Sequence, residues 1–331
     1  MIANELNGDE ARPLISVMLP VYEPESFLLE TLRTVLDERK HFAPEQMQVT
    51  IVDDCSSRVD VRALLQPLIG VHEIEICRNT ETLGLAGNWN RCIELARGTF
   101  VHLLHQDDLV RPEFYSRLLT GFERTSSVGM TFCRHGFIDR DGSLTDVSRR
   151  EKLSPGVLRD WLPKIARETR IQTPAAIVRR SVYEQLGGFR TDLEYALDWE
   201  MWARIAVHHD VWYEPTVLAH YRRHEGSETA RLQGTGNDDL DVLRAIEVIG
   251  TELPSRERES LVESAYAAFA RRRIKRARKL LVRRQFSSAH ATLRRSEEAL
   301  LRVSNGVQRW IYERQVKRLM REAELGVHAH A

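Results

Sequence analysis

The stretch Val49-Thr50-Ile51-Val52-Asp53-Asp54-Cys55-Ser56 decides how this chain is read. Its first four residues are β-branched or aliphatic and read as a buried strand, with two carboxylates where the strand ends. The same grammar returns at Phe100-Val101-His102-Leu103-Leu104-His105-Gln106-Asp107-Asp108. In a doubly wound sheet, ligands bind outside the carboxyl ends of the strands. Two acidic pairs at such ends form a rim suited to something positive or donor-rich. A divalent cation with a phosphorylated ligand is the economical candidate, because hard cations take oxygen ligands.

Around these runs, strand-like and helix-like segments alternate. Residues 14–19 form an apolar run closed by Pro20, which cannot donate to a ladder and is expected to end the strand. Residues 26–36 carry apolar positions at helical spacing, with Ser26 as N-cap. A helix over 61–68, a strand over 73–77 and a helix over 85–96 follow. Pro112 opens a helix reaching about Phe122. After a strand at 128–133, Asp139-Arg140-Asp141-Gly142 signals a turn and an antiparallel excursion. Helices are expected over 157–167 and 199–208, around a short apolar run at 175–178. This alternation predicts an α/β fold: a mostly parallel sheet with helices on both faces.

At 331 residues the chain can hold one large domain and an appendage. No apolar run approaches the ~20 residues of a membrane span. The polar, acid-bearing start, residues 1–13, argues against a secretory signal. Four cysteines stand singly, which fits reduced thiols and a cytoplasmic location better than disulfides or zinc. The formal net charge of zero hides an asymmetry. Residues 241–331 hold 20 bases and 11 acids, leaving 28 bases and 37 acids in 1–240. Two parts are therefore expected: residues 1–236, and a basic helical region, 237–331. The turn-rich stretch 225–237 reads as their linker. Within the basic region, Arg271-Arg272-Arg273-Ile274-Lys275-Arg276-Ala277-Arg278-Lys279 admits three readings. It could be a solvated face paired with the acidic part, a peripheral membrane contact through 271–284, or an acidic-partner surface. Nucleic acid is not expected, as no aromatic platform accompanies the charge.

Five motifs occur in order between about Ile15 and Ser227. They are Ile15-Ser16-Val17-Met18-Leu19-Pro20-Val21-Tyr22; Ile51-Val52-Asp53-Asp54-Cys55-Ser56; Asn79…Gly84…Asn88…Ala96-Arg97-Gly98; Leu104-His105-Gln106-Asp107-Asp108; and Gly187-Gly188-Phe189-Arg190…Leu197-Asp198-Trp199. Together they resemble the family 2 glycosyltransferases, which have the GT-A (Rossmann-like) fold and use nucleotide sugars. The resemblance implies an inverting, hexosyltransferase-type enzyme of polysaccharide or glycoconjugate synthesis. Its donor would be a nucleoside-diphosphate sugar, UDP- or dTDP-linked, and its acceptor a glycan or lipid-linked hydroxyl. Cytoplasmic action, at or near the inner face of a membrane, goes with such acceptors.

By the same resemblance, Pro20, Val21 and Tyr22 would line the base and ribose pocket. Asp53 and Asp54 stand beside them, one accepting the ring N–H of a pyrimidine; the bland reading is that Asp54 caps the turn before the next helix. His105-Gln106-Asp107-Asp108 stands in place of the family's DxD motif. Asp107 would then ligate Mn²⁺ or Mg²⁺ on the donor diphosphate. His105 replaces the usual first acid and is read as a hydrogen-bond partner of ribose or phosphate rather than a metal ligand. Asp198 would be the general base, although a helix N-cap also explains an Asp there. Leu197 stands where the family often has Glu. Arg222 and His224, within Tyr221–Ser227, would close over the diphosphate, or else sit on a solvated strand end. The rival reading is a non-catalytic nucleotide-sugar-binding or scaffold protein acting through its basic tail. Asp198→Asn separates the two, since a binding module would tolerate it.

Overall fold

The structure is a computed structural model and describes residues 12–69, 71–235 and 237–328. Two compact units are present. One joins residues 12–161 to Arg170–Gly234; the other joins Leu162–Thr169 to the chain from Thr235 onward.

The first unit begins with four parallel strands in the order β3-β2-β1-β4. These are β1 (Ile15–Val21), β2 (Met47–Asp53), β3 (Glu75–Arg78) and β4 (Phe100–Leu103). The connecting helices are α1 (Phe27–Arg39), α2 (Val61–Ile69) and α3 (Gly84–Leu95). Every residue of β1 and β2 is buried, as expected of strands covered on both faces. β1 does not stop at Pro20 but runs through it to Val21. The Leu104 N–H bonds the Met18 carbonyl, and the Asp54 N–H bonds the Val21 carbonyl. Even-numbered positions of β1 therefore face β4 and odd ones face β2. Pro20 turns its missing donor to the β4 side, past Leu103 where that strand has ended. Ser26 does precede α1, yet its side chain makes no capping bond.

The chain continues through β5 (Leu109–Val110), α4 (Phe114–Arg124), β6 (Val128–Ile138), β7 (Leu144–Val147) and β8 (Gly156–Val157). The helix expected from Pro112 starts at Phe114, because Glu113 takes a left-handed φ of 70°. The turn at 139–142 closes an antiparallel β6–β7 hairpin, with Gly142 at φ 82°. The helix expected over 157–167 is shorter: Val157 pairs with the later strand at Trp212, and α5 (Leu162–Arg167) belongs to the second unit. Then come β9 (Ala176–Arg179), α6 (Arg180–Leu186), α7 (Leu197–His208), β10 (Asp210–Arg222) and α8 (Glu228–Thr235). α8 lies in the stretch read as linker. The Ser227 hydroxyl accepts the Ala230 N–H and caps it.

β9 is the hinge of the topology. It runs antiparallel to both β4 and β6, and β10 runs parallel to β6. The carboxyl ends of β1, β2, β4, β6 and β10 consequently lie along one edge, which brings Arg222 to the segment that follows β4.

The second unit is helical: α5 with α9 (Asn237–Glu252), α10 (Arg258–Val282), α11 (Phe286–Leu300) and α12 (Gly306–His328). Phe269, Ile274, Leu293, Leu300, Val316 and Leu319 form its buried interior. Much of the basic run on α10 is committed inside this unit. Arg273 and Arg276 pair with Asp239 and Asp238 at 2.7 and 3.0 Å, and Arg271 and Arg272 lie within 4 Å of Glu168. Among the described residues, no helix is long and apolar enough to cross a membrane.

Candidate active site

The first acidic pair is woven into the fold. Asp53 Oδ1 accepts the Ser56 N–H and hydroxyl (3.0 and 2.6 Å), and Oδ2 accepts Arg78 Nη1 at 2.7 Å. Asp54 Oδ1 accepts Asn79 Nδ2 and the Leu83 N–H, both at 2.8 Å, while Oδ2 accepts the Gly84 N–H at 2.9 Å. Asp54 thus caps α3 from a distance. A carboxylate offers about four acceptor sites, so each Asp keeps roughly one. Pro20 and Val21 are buried, whereas Tyr22 is 46% exposed and open to a planar ligand. Gln106 makes a paired bond to the Tyr22 backbone, accepting its N–H (3.0 Å) and donating to its carbonyl (3.1 Å). That bond ties the loop after β1 to the loop after β4, and residue type alone gave no hint of it.

The second pair is held by the end of β10. Arg222 is buried, with Nε donating to the Asp107 carbonyl (2.9 Å), Nη1 to the carbonyls of Asp139 and Arg140, and Nη2 to Glu30 (2.7 Å). Its own N–H donates to Asp108 Oδ1 at 2.8 Å. The phosphate contact expected of Arg222 thus meets a buried guanidinium with four of its five N–H donors already on protein acceptors; it shapes the acidic loop. His224 Nε2 lies 2.8 Å from Asp107 Oδ2. The His105 ring stacks on Trp89 (4.8 Å), and its Nδ1 is 3.3 Å from Asp108 Oδ2.

His105, Asp107 and Asp108 each present one ligand atom, all within 4.8 Å of one another. His105 Nε2 is buried without a hydrogen-bond partner, and Asp108 Oδ2 is met only at a long 3.3 Å by His105 Nδ1. Under-satisfied ring and carboxylate atoms beside the part-buried Asp107 fit a divalent cation with oxygen and imidazole ligands. Burial and the Asp107 carboxylate push Asp108 up to about 6, against the pull of His105 and the Arg222 N–H. Burial works to lower His105, but Asp108, Asp107 and Asp198 outweigh it and its pKa is raised.

Asp198 sits in the first turn of α7. A helix N-terminus was expected to hold it ionised, and its Oδ1 does accept the Trp199 N–H at 2.6 Å. Burial wins, and the carboxyl rises to about 6 despite that bond, His105 and the Thr173 hydroxyl. Its position is fixed upstream. Asn90 on α3 bonds both the N–H and the carbonyl of Phe189, at 2.7 and 2.8 Å. Arg204 on α7 donates to the carbonyls of Leu186 and Gly188. A Cβ on Gly188 would clash with Asn90 Oδ1, which explains the second glycine of the Gly-Gly-Phe signature. Tyr221 is raised by burial and by Asp108, Asp107 and Asp198 together, so these groups share one electrostatic neighbourhood. Tyr221, Trp89, Asn90 and Thr173 were not singled out from the sequence. Only Tyr221, inside the quoted Tyr221–Ser227 stretch, carried a signal.

This sheet, with the acidic loop on its carboxyl edge and a separate part-buried carboxyl, is a GT-A-type scaffold. The family model for Glycosyl transferase family 2 matches residues 16–187, and the chain belongs to that family. It is similar to an uncharacterised protein of Mycobacterium tuberculosis (strain CDC 1551), 30% identical over 71% of this chain and 75% of that one. It is also similar to a Bacillus subtilis protein named as the putative teichuronic acid biosynthesis glycosyltransferase TuaG, 29% identical over 41% of this chain and 52% of that one. The fold matches the Staphylococcus aureus TarS 1-349 crystal structure in complex with UDP-GlcNAc. That match has a TM-score of 0.66 at 14% identity and covers 96% of this chain and 92% of the other.

Proposed function

We propose that this glycosyltransferase moves a hexosyl residue from a nucleoside-diphosphate sugar to a hydroxyl of a glycan or lipid-linked acceptor, with inversion. The supporting observation is the single neighbourhood of Asp198, His105, Asp107 and Asp108 at the carboxyl edge of the sheet. TarS crystallised with UDP-GlcNAc supports the donor class. The likeness to a teichuronic acid glycosyltransferase supports a polysaccharide or glycoconjugate acceptor.

Tyr22, with Pro20 and Val21, provides the wall for the base. The remaining acceptor site of Asp53 or Asp54 suits the ring N–H of a pyrimidine, which favours UDP- or dTDP-linked donors. Asp107, with Asp108 and His105, would hold Mn²⁺ or Mg²⁺. The cation, when bound, supplies Lewis-acid neutralisation of charge on the departing diphosphate. His224 holds the Asp107 carboxylate in place. Asp198 takes the acceptor hydroxyl proton as that oxygen bonds to the anomeric carbon. The carbon–phosphate oxygen bond breaks on the opposite face, and the diphosphate leaves with the electron pair. A base with a pKa of about 6 is ionised at neutral pH and still has appreciable proton affinity.

Calorimetric titration with a panel of nucleotide sugars, with and without Mn²⁺, tests this reading. Metal-dependent binding of one donor, kept in Asp198→Asn while its transfer is lost, is the expected result. A folded protein that binds no donor, or an Asp198→Asn variant that still turns over, would overturn it.

A further inference from the structure

The helix α12 carries a face that the second unit does not use. Val316, Leu319 and Ala323 are its buried side. At ~100° per residue, the opposite side presents Val307, Trp310, Ile311 and Leu325. They are 73, 56, 44 and 72% exposed, so all four lie open rather than grazing the surface. Arg314, Arg318 and Arg321 lie between them and are exposed. The Arg314 guanidinium is 4.8 Å over the Trp310 ring. The acids of α12, Glu313, Glu322 and Glu324, fall to the flanks of this stripe.

The flank of this face meets α10. Arg278 donates to Gln315 of α12 at 2.6 Å, and one turn further on stand Val282, 85% exposed, and Arg283 and Arg284, both exposed. Single exposed apolar residues need no explanation, but a tryptophan–aliphatic stripe interleaved with arginines does. Basic residues alone would suit any polyanion. Val282, Val307, Ile311 and Leu325 have no counterpart on a nucleic acid, whereas the boundary between lipid headgroups and acyl chains accommodates both kinds of side chain. Arg271, Arg272, Arg273 and Arg276 are paired internally, so the membrane contact that was one of three readings of the basic run on α10 is better matched by the outward face of α12.

We infer that the outward face of α12, extended by residues 282–284, docks on a lipid bilayer surface rich in anionic headgroups. The arginines meet the phosphates, and Trp310 with the aliphatic residues enters the headgroup–acyl boundary.

Cosedimentation of the full chain with phosphatidylcholine vesicles, with or without one-third phosphatidylglycerol, tests the inference. Binding to the anionic vesicles should be at least about tenfold stronger and should weaken with salt. Arg314→Glu with Arg318→Glu should lose about tenfold or more of that binding. Trp310→Ala with Ile311→Ala should also lose it, with thermal stability unchanged because these side chains are exposed. Equal binding to both vesicle types, or wild-type binding by both double variants, would overturn it. So would tighter binding to duplex DNA than to the vesicles. A dimer that the Trp310 variant dissociates, with no vesicle binding, would assign the face to a second copy instead. Donor binding is read separately, so failure here leaves the transfer reaction untouched.

Discussion

Asp198 shows an ionisable group held at a cost to stability. Its carboxyl lies at about 6, above the ordinary value, chiefly because burial disfavours the charge. A raised acid favours the folded state while protonated, and that contribution is lost as pH rises through about 6. Asp198→Asn should therefore stabilise the protein by about 1–2 kcal/mol at pH 8 and have little effect at pH 4. The same change should lower kcat by about 10²–10⁴. Urea denaturation at the two pH values, alongside transfer assays, checks both effects. In the wild type, the acid limb of the rate profile should fall with an apparent pKa near 6. A variant that is neither stabilised nor impaired at pH 8 would leave Asp198 as a cap.

Among the elements, the end of β10 and the Gly-Gly-Phe loop position the site without reacting. Arg222 ties Glu30, the Asp107 carbonyl and the 139–140 turn to one guanidinium. Arg222→Met should cost about 3 kcal/mol or more, since buried carbonyls lose charged donors. Arg222→Lys should recover little, because an ammonium cannot reproduce the planar fork. A loss under 1 kcal/mol in denaturant titration would refute this clamp. Gly188→Ala places a methyl group against Asn90 and should cost about 1–3 kcal/mol. It should lower kcat more than donor affinity, because α7 carries Asp198 and the shift is felt there.

These same elements show what the sequence could tell. β1, β2 and β4 were legible because fully buried strands read as short, mostly aliphatic and β-branched runs, even with Ser16, Thr50 and His102 inside them. α1 and α3 were legible from helical spacing. β10 was not, because Glu214-Pro215-Thr216 interrupts it and the register shifts between Glu214 and Val217. The acids were legible by type and place. That Arg222 would be held by four protein acceptors was not, since it depends on a strand 114 residues away from Asp108.

For the molecule as a whole, strand direction concentrates charge. Because β9 reverses between β4 and β6, the acidic loop, the Asp198 carboxyl and the end of β10 share one edge, where burial raises Asp108 and Asp198 alike to about 6. Both acids lose their stabilising contribution as pH rises through that value, so the ionised site at pH 8 gains most from a cation. Mn²⁺ at ~100 times its dissociation constant should add about 2.7 kcal/mol, or about 4–8 °C in melting temperature. At pH 5, Asp108 and Asp198 hold protons and His105, with its raised pKa, is charged, so the shift should shrink to about 1 °C or less. Asp107→Ala should abolish the shift at both pH values. Thermal melts in EDTA and in Mn²⁺ measure this directly, and an equal gain at pH 5 and pH 8, or one that survives Asp107→Ala, would place the cation elsewhere.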